Sequence, residues 1–149
     1  LEIAIGIALR AHRGQTDRAG RPYITHPLRL MGRARTPDEQ IVAVLHDTVE
    51  DGGPNGVTMR TLEDTGFPDH ILRAVDALTR RKKELFPERQ ADETYDDFVE
   101  RTAADPLARA VKLLDLRDNM DIARLPEVTP RDAERLNRYV RAWHRLHRA

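Results

Sequence analysis

The chain has 149 residues, a length that suits one compact domain with a sizeable core. Hydrophobic residues make up 40% and charged residues 34%, a balance that excludes a disordered chain and a membrane protein. The 25 basic and 25 acidic side chains cancel, so net charge gives no support for a nucleic-acid interface. The absence of cysteine excludes disulfides and thiolate metal sites and, with no signal peptide visible, favours a cytoplasmic location.

The first half of the chain predicts three helices separated by turn-rich segments. In the first helix, Ile3, Ile7 and Leu9 alternate with alanines, which indicates a buried element. A polar loop follows and ends where Pro27 opens the second helix, and Pro37 with two acidic neighbours opens the third. The three predicted helices cover residues 1–13, 27–34 and 37–51, the last stopping before Gly52, Gly53 and Pro54.

The second half predicts four more helices, at about 58–66, 69–79, 95–105 and 106–120, and a long last one at 130–147. Thr58 or Thr61 caps the first of these and Gly66 ends it, while Thr129 caps the last. The charged segment 80–93 predicts an exposed loop, whose basic start could also form a wall of an anion pocket. The sequence therefore predicts a single all-α domain over residues 1–149, a bundle of about seven or eight helices.

Residues 46–51, HDTVED, place polar side chains at the end of a strongly apolar third helix. On a continuous helix His46 and Glu50 share one face, and Asp47 and Asp51 share an adjoining one. Buried polar groups cost free energy unless they are bound, and a metal ion is one such partner. Adjacent His-Asp pairs also occur by chance, so the interpretation depends on the rest of the chain.

Asp115 lies within an apolar stretch of the predicted seventh helix, on one face with Lys112 and Asn119. A carboxylate there needs a cation or hydrogen bonds, and Lys112 and Asn119 could serve as phosphate and hydroxyl partners. His26 and Asp115 taken singly suit a capping residue and a salt-bridge partner. Together with His46 and Asp47, they form a set of two imidazoles and two carboxylates that suits Mn²⁺, Fe²⁺ or Zn²⁺. The remaining histidines, His12, His70, His144 and His147, lack such a context, and we interpret them as ordinary structural or surface residues.

Four segments carry a more specific pattern: AHRGQTDRAGRPYITHPL (11–28), VAVLHDTVED (42–51), VDALTR (75–80) and ARAVKLLDLRDN (108–119). In this order they resemble the HD-type hydrolase domain of the RelA/SpoT alarmone enzymes, and in particular the stand-alone small alarmone hydrolases. The resemblance implies a Mn²⁺-dependent enzyme that removes the 3′-pyrophosphate of guanosine tetra- or pentaphosphate. The products would be GDP or GTP and pyrophosphate.

The resemblance also implies roles for individual residues. The metal ligands would be His26, His46, Asp47 and Asp115, and Glu50 and Asp51 would position or deprotonate the attacking water. Asn119 would hold the ribose, Arg18 the phosphates or the base, and Tyr23 would belong to the framework of the site. With the Lys112 inferred above, the expected substrate-binding residues are Arg18, Lys112, Asn119, Arg135 and Tyr139.

Two positions depart from the family pattern. Asp17 stands where many members carry a basic residue that stacks on guanine, and a carboxylate cannot give that cationic stack. Ile122 stands where long members often carry a small hydroxyl residue near the ribose. The substrate could therefore be an adenine alarmone, the 2′-phosphate of NADPH or a 5′-nucleotide, and a module that binds alarmone without cleaving it is a further alternative. Zn²⁺, Fe²⁺ and Co²⁺ stay open as metals, as does a homo-oligomer, whereas neither nucleic acid nor membrane is an expected partner.

Overall fold

The computed structural model describes residues 1–52 and 55–149. Its helices are α1 (Glu2–Ala11), α2 (Thr25–Arg33), α3 (Pro37–Leu45), α4 (Thr48–Asp51), α5 (Met59–Thr65), α6 (Asp69–Leu78), α7 (Tyr95–Ala103), α8 (Pro106–Asn119) and α9 (Pro130–Arg148), with a 3-10 helix at Ile122–Arg124. Within those residues, β pairing is limited to one isolated bridge between Thr16 and Pro22. The all-α prediction is confirmed.

Several helix ends follow directly from local sequence chemistry. The side chain of Thr36 accepts a hydrogen bond from the Glu39 backbone N–H, and Pro37 occupies the first turn of α3. Thr58 begins α5 with a reciprocal capping box, and Gly66 ends it with a left-handed φ of 83° that glycine adopts without strain. A second capping box at Thr129 begins α9. These signals explain why the predicted bounds lie close to the observed ones.

Helix α3 lies at the centre of the bundle and contacts α1, α2, α6 and α8. Its last four residues, 42–45, are fully buried, and they pack with Leu30 of α2, Ile71 of α6 and Val111 of α8. A second, smaller cluster joins α8 to α9 through Leu116 and Leu146. Because α3 is surrounded by other helices, the residues that follow it emerge in the middle of the protein.

The predicted third helix is not continuous, which corrects the expectation that His46, Asp47, Glu50 and Asp51 lie on regular helix faces. The His46 imidazole bonds to the carbonyl of Ala43 at 2.9 Å, and the Thr48 hydroxyl donates to the carbonyl of Leu45 at 2.7 Å. Side chains that take backbone carbonyls in this way compete with the hydrogen bonds of the helix. The chain turns at residues 46–47, and α4 follows as a separate single turn that ends before Gly52; Gly53 and Pro54 lie outside the described residues.

Helix α1 also differs from expectation, because its buried face is made of alanines rather than of the larger residues. Ala4 and Ala8 are fully buried, whereas Ile3 is 62% and Leu9 is 52% exposed. Small side chains let α1 approach α3 and α4 closely, which places the loop after α1 against the end of α4. Among the residues that the structure describes, no helix combines the length and the apolar character needed to cross a membrane.

Candidate metal centre

The four predicted ligands come together from three parts of the chain. His26 lies in the first turn of α2, His46 and Asp47 at the junction of α3 and α4, and Asp115 in the last half of α8. The Nε2 atom of His46 is 2.8 Å from Oδ2 of Asp47, and Nε2 of His26 is 3.2 Å from Oδ1 of Asp115. One ligand atom each from His26, His46 and Asp47 lies within 4.8 Å of the others.

Both imidazoles present the same nitrogen to this centre. Nδ1 of His46 is 2.9 Å from the carbonyl of Ala43 and Nδ1 of His26 is 2.8 Å from a carboxylate oxygen of Asp118, so each Nδ1–H donates to an acceptor. Nε2 is then the nitrogen of each imidazole that faces the centre, and in the neutral ring it offers its lone pair, as in histidines that bind metals. Nε2 of His46 is buried and makes no hydrogen bond to the described residues. This nitrogen, which faces the Asp47 carboxylate without a hydrogen bond, and the mixed nitrogen and oxygen donors fit a divalent cation.

Opposite charges dominate the electrostatics of the centre. Burial opposes protonation of His46, but contacts with Asp47 and Asp115 outweigh it and raise its pKa to about 10. Burial likewise opposes ionisation of Asp47, yet the imidazoles hold its pKa below the ordinary value. The carboxylates are thus ionised and attract positive charge, for which protons and a metal ion compete.

Asp118 is a buried hydrogen-bond partner of His26 that was not predicted from the sequence. It accepts the His26 Nδ1–H, and Arg29 and Arg33 each donate to it at 2.8 and 2.9 Å. A signal existed: Asp118 follows Asp115 by three residues on α8, and Arg29 and Arg33 are four apart on α2. Carboxylates in this position orient a metal-binding histidine and raise its basicity.

Tyr23, for which the sequence predicts a framework role, contacts the centre from another side. Its hydroxyl donates to Oδ2 of Asp47 at 2.5 Å. Burial, reinforced by the negative charge of Asp47, raises the pKa of Tyr23 well above its ordinary range, so the phenol stays protonated. Asp47 therefore receives hydrogen from a neutral donor that does not titrate at physiological pH.

The acidic pair after Asp47 divides into two different environments. Glu50 is engaged by the segment after α6: Lys82 lies 2.7 Å from its Oε1, and the Arg80 backbone N–H donates to its Oε2 at 3.0 Å. Asp51 differs, because burial and the nearby charges of Asp47 and Glu50 raise its pKa to about 6. The basic segment predicted as a loop thus contributes Lys82 to the site, and Asp51 has the properties of a proton acceptor near neutral pH.

A cavity of about 190 Å³ adjoins the centre, far larger than the space that one water molecule needs. Four of the five predicted substrate-binding residues line it, namely Arg18, Asn119, Arg135 and Tyr139. His26 and Tyr23 line the same cavity. Lys112 does not line it; its ammonium lies 2.7 Å from Oδ2 of Asp115. Arg124, which the sequence analysis did not single out, is a further cation at the cavity wall.

Asp17 has a structural role in the loop that carries Arg18. Its Oδ1 accepts hydrogen bonds from the backbone N–H groups of Ala19 and Arg21, at 2.8 and 2.9 Å, and these bonds lower the pKa of the carboxyl despite its burial. Arg124 lies 3.8 Å from its second oxygen. The carboxylate therefore shapes the loop, and the nearest guanidinium comes from the 3-10 helix after α8. Ile122, the second departure, is half exposed in that same helix.

Comparison with known proteins gives sequence similarity to segments of much longer enzymes. The chain is 38% identical over 126 residues to a GTP pyrophosphokinase of Streptomyces coelicolor, a match that covers 80% of this chain and 14% of that protein. It is 31% identical over 124 residues to a guanosine-3′,5′-bis(diphosphate) 3′-pyrophosphohydrolase of Aquifex aeolicus, covering 80% and 17%. A protein of the same name from Vibrio cholerae is 33% identical over 149 residues, covering 94% and 21%.

The chain thus spans about a fifth or less of the length of these relatives. No protein-family model matches it. The names of these relatives belong to alarmone metabolism. They divide between a pyrophosphokinase, which transfers pyrophosphate, and pyrophosphohydrolases, which release it.

Proposed function

We propose that this chain is a hydrolase domain of the RelA/SpoT kind, which removes the 3′-pyrophosphate of guanosine tetra- or pentaphosphate to give GDP or GTP and pyrophosphate. The observation that carries the proposal is the meeting of His26, His46, Asp47 and Asp115 at one centre. It stands beside similarity to two 3′-pyrophosphohydrolases over most of the chain. Candidate metal ligands next to a pair of acidic residues, Glu50 and Asp51, suit hydrolysis better than transfer of pyrophosphate to a second nucleotide.

The proposed cofactor is Mn²⁺, held by the four residues of the centre; Zn²⁺, Fe²⁺ and Co²⁺ are the alternatives with similar ligand preferences. When bound, such a cation polarises a phosphate oxygen and lowers the pKa of a water molecule. The protein fixes the donors in advance: Asp118 holds His26, Ala43 holds His46 and Tyr23 holds Asp47. This preorganisation directs Nε2 of both imidazoles to the centre, where a bound cation would replace the proton that the carboxylates favour.

Asp51 is the proposed general base. A carboxylate whose pKa is raised to about 6 is ionised at neutral pH, yet it accepts a proton more readily than an ordinary carboxylate. Glu50 holds the loop after α6 through its bonds to Lys82 and to the Arg80 backbone. We assign Lys82 to charge compensation of the acidic pair.

The cavity provides the proposed substrate contacts. Asp132 lies 3.6 Å from an Arg18 nitrogen and 2.9 Å from an Arg135 nitrogen, so one carboxylate gathers two guanidinium groups at the cavity wall. Guanidinium groups match phosphate oxygens in geometry and offset the charge of the transferring group. Asn119 and Tyr139 line the same cavity and are the proposed partners of the ribose. Lys112 acts on the substrate through Asp115, which it contacts.

A second candidate substrate is an adenine alarmone, because position 17 provides no cation that would select guanine. The carboxylate at this position is committed to the loop backbone and cannot stack as a cation on guanine. The NADPH 2′-phosphate and 5′-nucleotides stay as further alternatives within the same chemistry. The non-catalytic binding module is the weaker proposal, because both members of the acidic pair are present beside the centre.

The decisive experiment is a panel of nucleotides assayed with Mn²⁺, containing guanine and adenine alarmones, NADPH and 5′-nucleotides. We expect release of pyrophosphate from guanosine tetraphosphate, with GDP as the second product. Turnover of another member alone would replace the substrate assignment, and tight alarmone binding without turnover would support the binding module. The Asp47→Ala variant should lose Mn²⁺ binding and activity together, whereas Glu50→Ala should keep Mn²⁺ and lose rate. A cytoplasmic location and the oligomeric state stay predictions for separate measurement.

A further inference from the structure

His12, interpreted above as an ordinary residue, is 3% exposed and lies beside the candidate centre. It follows the last residue of α1 as the cap of that helix. Its ring centroid is 4.8 Å from that of Tyr23, and its Nδ1 is 2.8 Å from the side-chain oxygen of Gln15. The buried imidazole therefore contacts two side chains, and these in turn contact Asp51 and Asp47.

The orientation of Gln15 determines which nitrogen of His12 carries the proton. The Gln15 amide nitrogen donates to the backbone carbonyl of Asp51 at 2.8 Å and to that of Ala11 at 3.4 Å. The amide oxygen must then face His12, and an oxygen accepts only from an N–H. His12 is thus a neutral imidazole with its hydrogen on Nδ1, and burial, which lowers its pKa, keeps it neutral.

Two short paths lead from this imidazole. One runs through Gln15 to the backbone of Asp51, the proposed base. The other runs through the ring of Tyr23, whose hydroxyl donates to Asp47. We propose that His12 is a positioning residue that fixes Gln15 and Tyr23 and, through them, the base and one metal ligand. The role given to Asp51 in this inference rests on the proposed function; the path to Asp47 rests on the metal centre.

A purely structural role would not favour histidine here. Nε2 of His12 is buried without a hydrogen-bond partner among the described residues. An unsatisfied buried polar atom costs free energy on folding, so an apolar ring of similar shape would serve folding at least as well. What the imidazole adds over such a ring is the Nδ1–H that holds Gln15.

Three substitutions separate these contributions in the full chain. His12→Phe keeps a ring against Tyr23 and removes the donor to Gln15. His12→Asn places an amide N–H close to the position of Nδ1, and His12→Ala removes both ring and donor. The exposed His144 on α9 provides the control His144→Phe. Steady-state kinetics with Mn²⁺, Mn²⁺ titration by calorimetry and thermal unfolding are measured for each variant.

We expect His12→Phe to lower kcat about tenfold, with KM within about twofold, Mn²⁺ affinity unchanged and Tm unchanged or raised. His12→Asn should recover most of the kcat, and His12→Ala should weaken Mn²⁺ binding about tenfold as well. Wild-type kcat in His12→Phe, or a loss of kcat that follows Tm and is not recovered by asparagine, would overturn the proposal.

The inference and the proposed function fail in different ways. If no alarmone is hydrolysed, the proposed function falls, and the Mn²⁺ titrations still decide the path through Tyr23. Weaker Mn²⁺ binding in His12→Ala than in His12→Phe supports that path, and equal affinities contradict it. The ¹⁵N resonances of His12 give a third readout: the inference requires the Nδ1–H form, and the Nε2–H form would contradict it.

Discussion

Asp118 and His26 are 92 positions apart in the chain, and Oδ2 of Asp118 lies 2.8 Å from Nδ1 of His26. The carboxylate is almost fully buried and is held by Arg29 and Arg33 from α2, the helix that also carries His26. A buried carboxylate with these cationic partners is ionised, and its pKa lies well below the ordinary range. The imidazole is therefore fixed in orientation, with Nδ1 on Asp118 and Nε2 toward the centre, before any cation binds.

The Asp118→Asn substitution should weaken Mn²⁺ binding about tenfold to a hundredfold, the range typical of partners of metal-bound histidines. The amide keeps the shape of the side chain but removes the negative charge that raises the basicity of His26 and strengthens its bond to a metal ion. Isothermal titration of the metal-free protein measures the effect. Asp64→Asn, at an exposed carboxylate on α5, is the matched control and should leave the affinity unchanged. Equal affinities in the two variants would contradict the role of Asp118.

Removal of the Tyr23 hydroxyl should loosen Asp47. A hydrogen bond to a charged group contributes about 1.5–3 kcal/mol, so Tyr23→Phe should lower Mn²⁺ affinity about tenfold or more. The ring stays in place against His12, so the fold should be retained. The control is Tyr95→Phe: that hydroxyl is buried but makes no hydrogen bond to the described residues. Calorimetry on both variants checks this, and an unchanged affinity for Tyr23→Phe would show that Asp47 is held by the imidazoles alone.

The raised pKa of Asp51 predicts a pH dependence of catalysis. The base must be ionised, so kcat/KM should fall as the pH drops through about 6, or slightly below because a bound cation favours the carboxylate. Asp51→Asn should retain Mn²⁺ and lose rate by about a hundredfold or more. Rate profiles between pH 5 and 8 at saturating Mn²⁺ test this. A flat profile, or an active Asp51→Asn enzyme, would move the base to another group.

The same carboxyl should reduce the stability of the metal-free protein at neutral pH. Its pKa is higher in the folded chain than in the unfolded chain, so the folded state binds more protons between about pH 4 and 6. Stability contributed by the protonated form is thus lost as the pH rises through this window. Asp51→Asn removes the buried charge and should stabilise the fold by about 3 kcal/mol at pH 7.5. Urea unfolding in a chelator measures it; the difference should vanish near pH 4.

Asp17 should be needed for the loop rather than for the nucleobase. Asp17→Asn keeps an oxygen that can accept from Ala19 and Arg21, and we expect KM within about threefold of wild type. Asp17→Ala removes both bonds and should raise KM about tenfold by releasing the segment that carries Arg18. Asp17→Arg should behave like alanine on every nucleotide tested. A gain in preference for guanine over adenine alarmone in Asp17→Arg would show instead that the position selects the base.

Most helix bounds followed from neighbouring residues alone, whereas the proposed metal ligands depended on four separate segments taken together. Proline and threonine at helix starts, and apolar residues three or four apart, act over one or two turns. Lys112 and Asn119 both contact Asp115, as their spacing on α8 requires. For the same reason the prediction failed where local bonds compete: the imidazole of His46 and the hydroxyl of Thr48 take backbone carbonyls and interrupt the helix.

The sequence by itself determined the all-α class, because periodicity and caps belong to short stretches of chain, and it predicted the set of two histidines and two aspartates from their donor chemistry. Only the tertiary structure decided which groups support that set. The contacts of Asp118 with His26, of Lys82 with Glu50 and of His12 with Tyr23 join separate elements. They depend on how closely the helices pack, and the alanine face of α1, which brings His12 to the centre, has no local signal that reveals its partner.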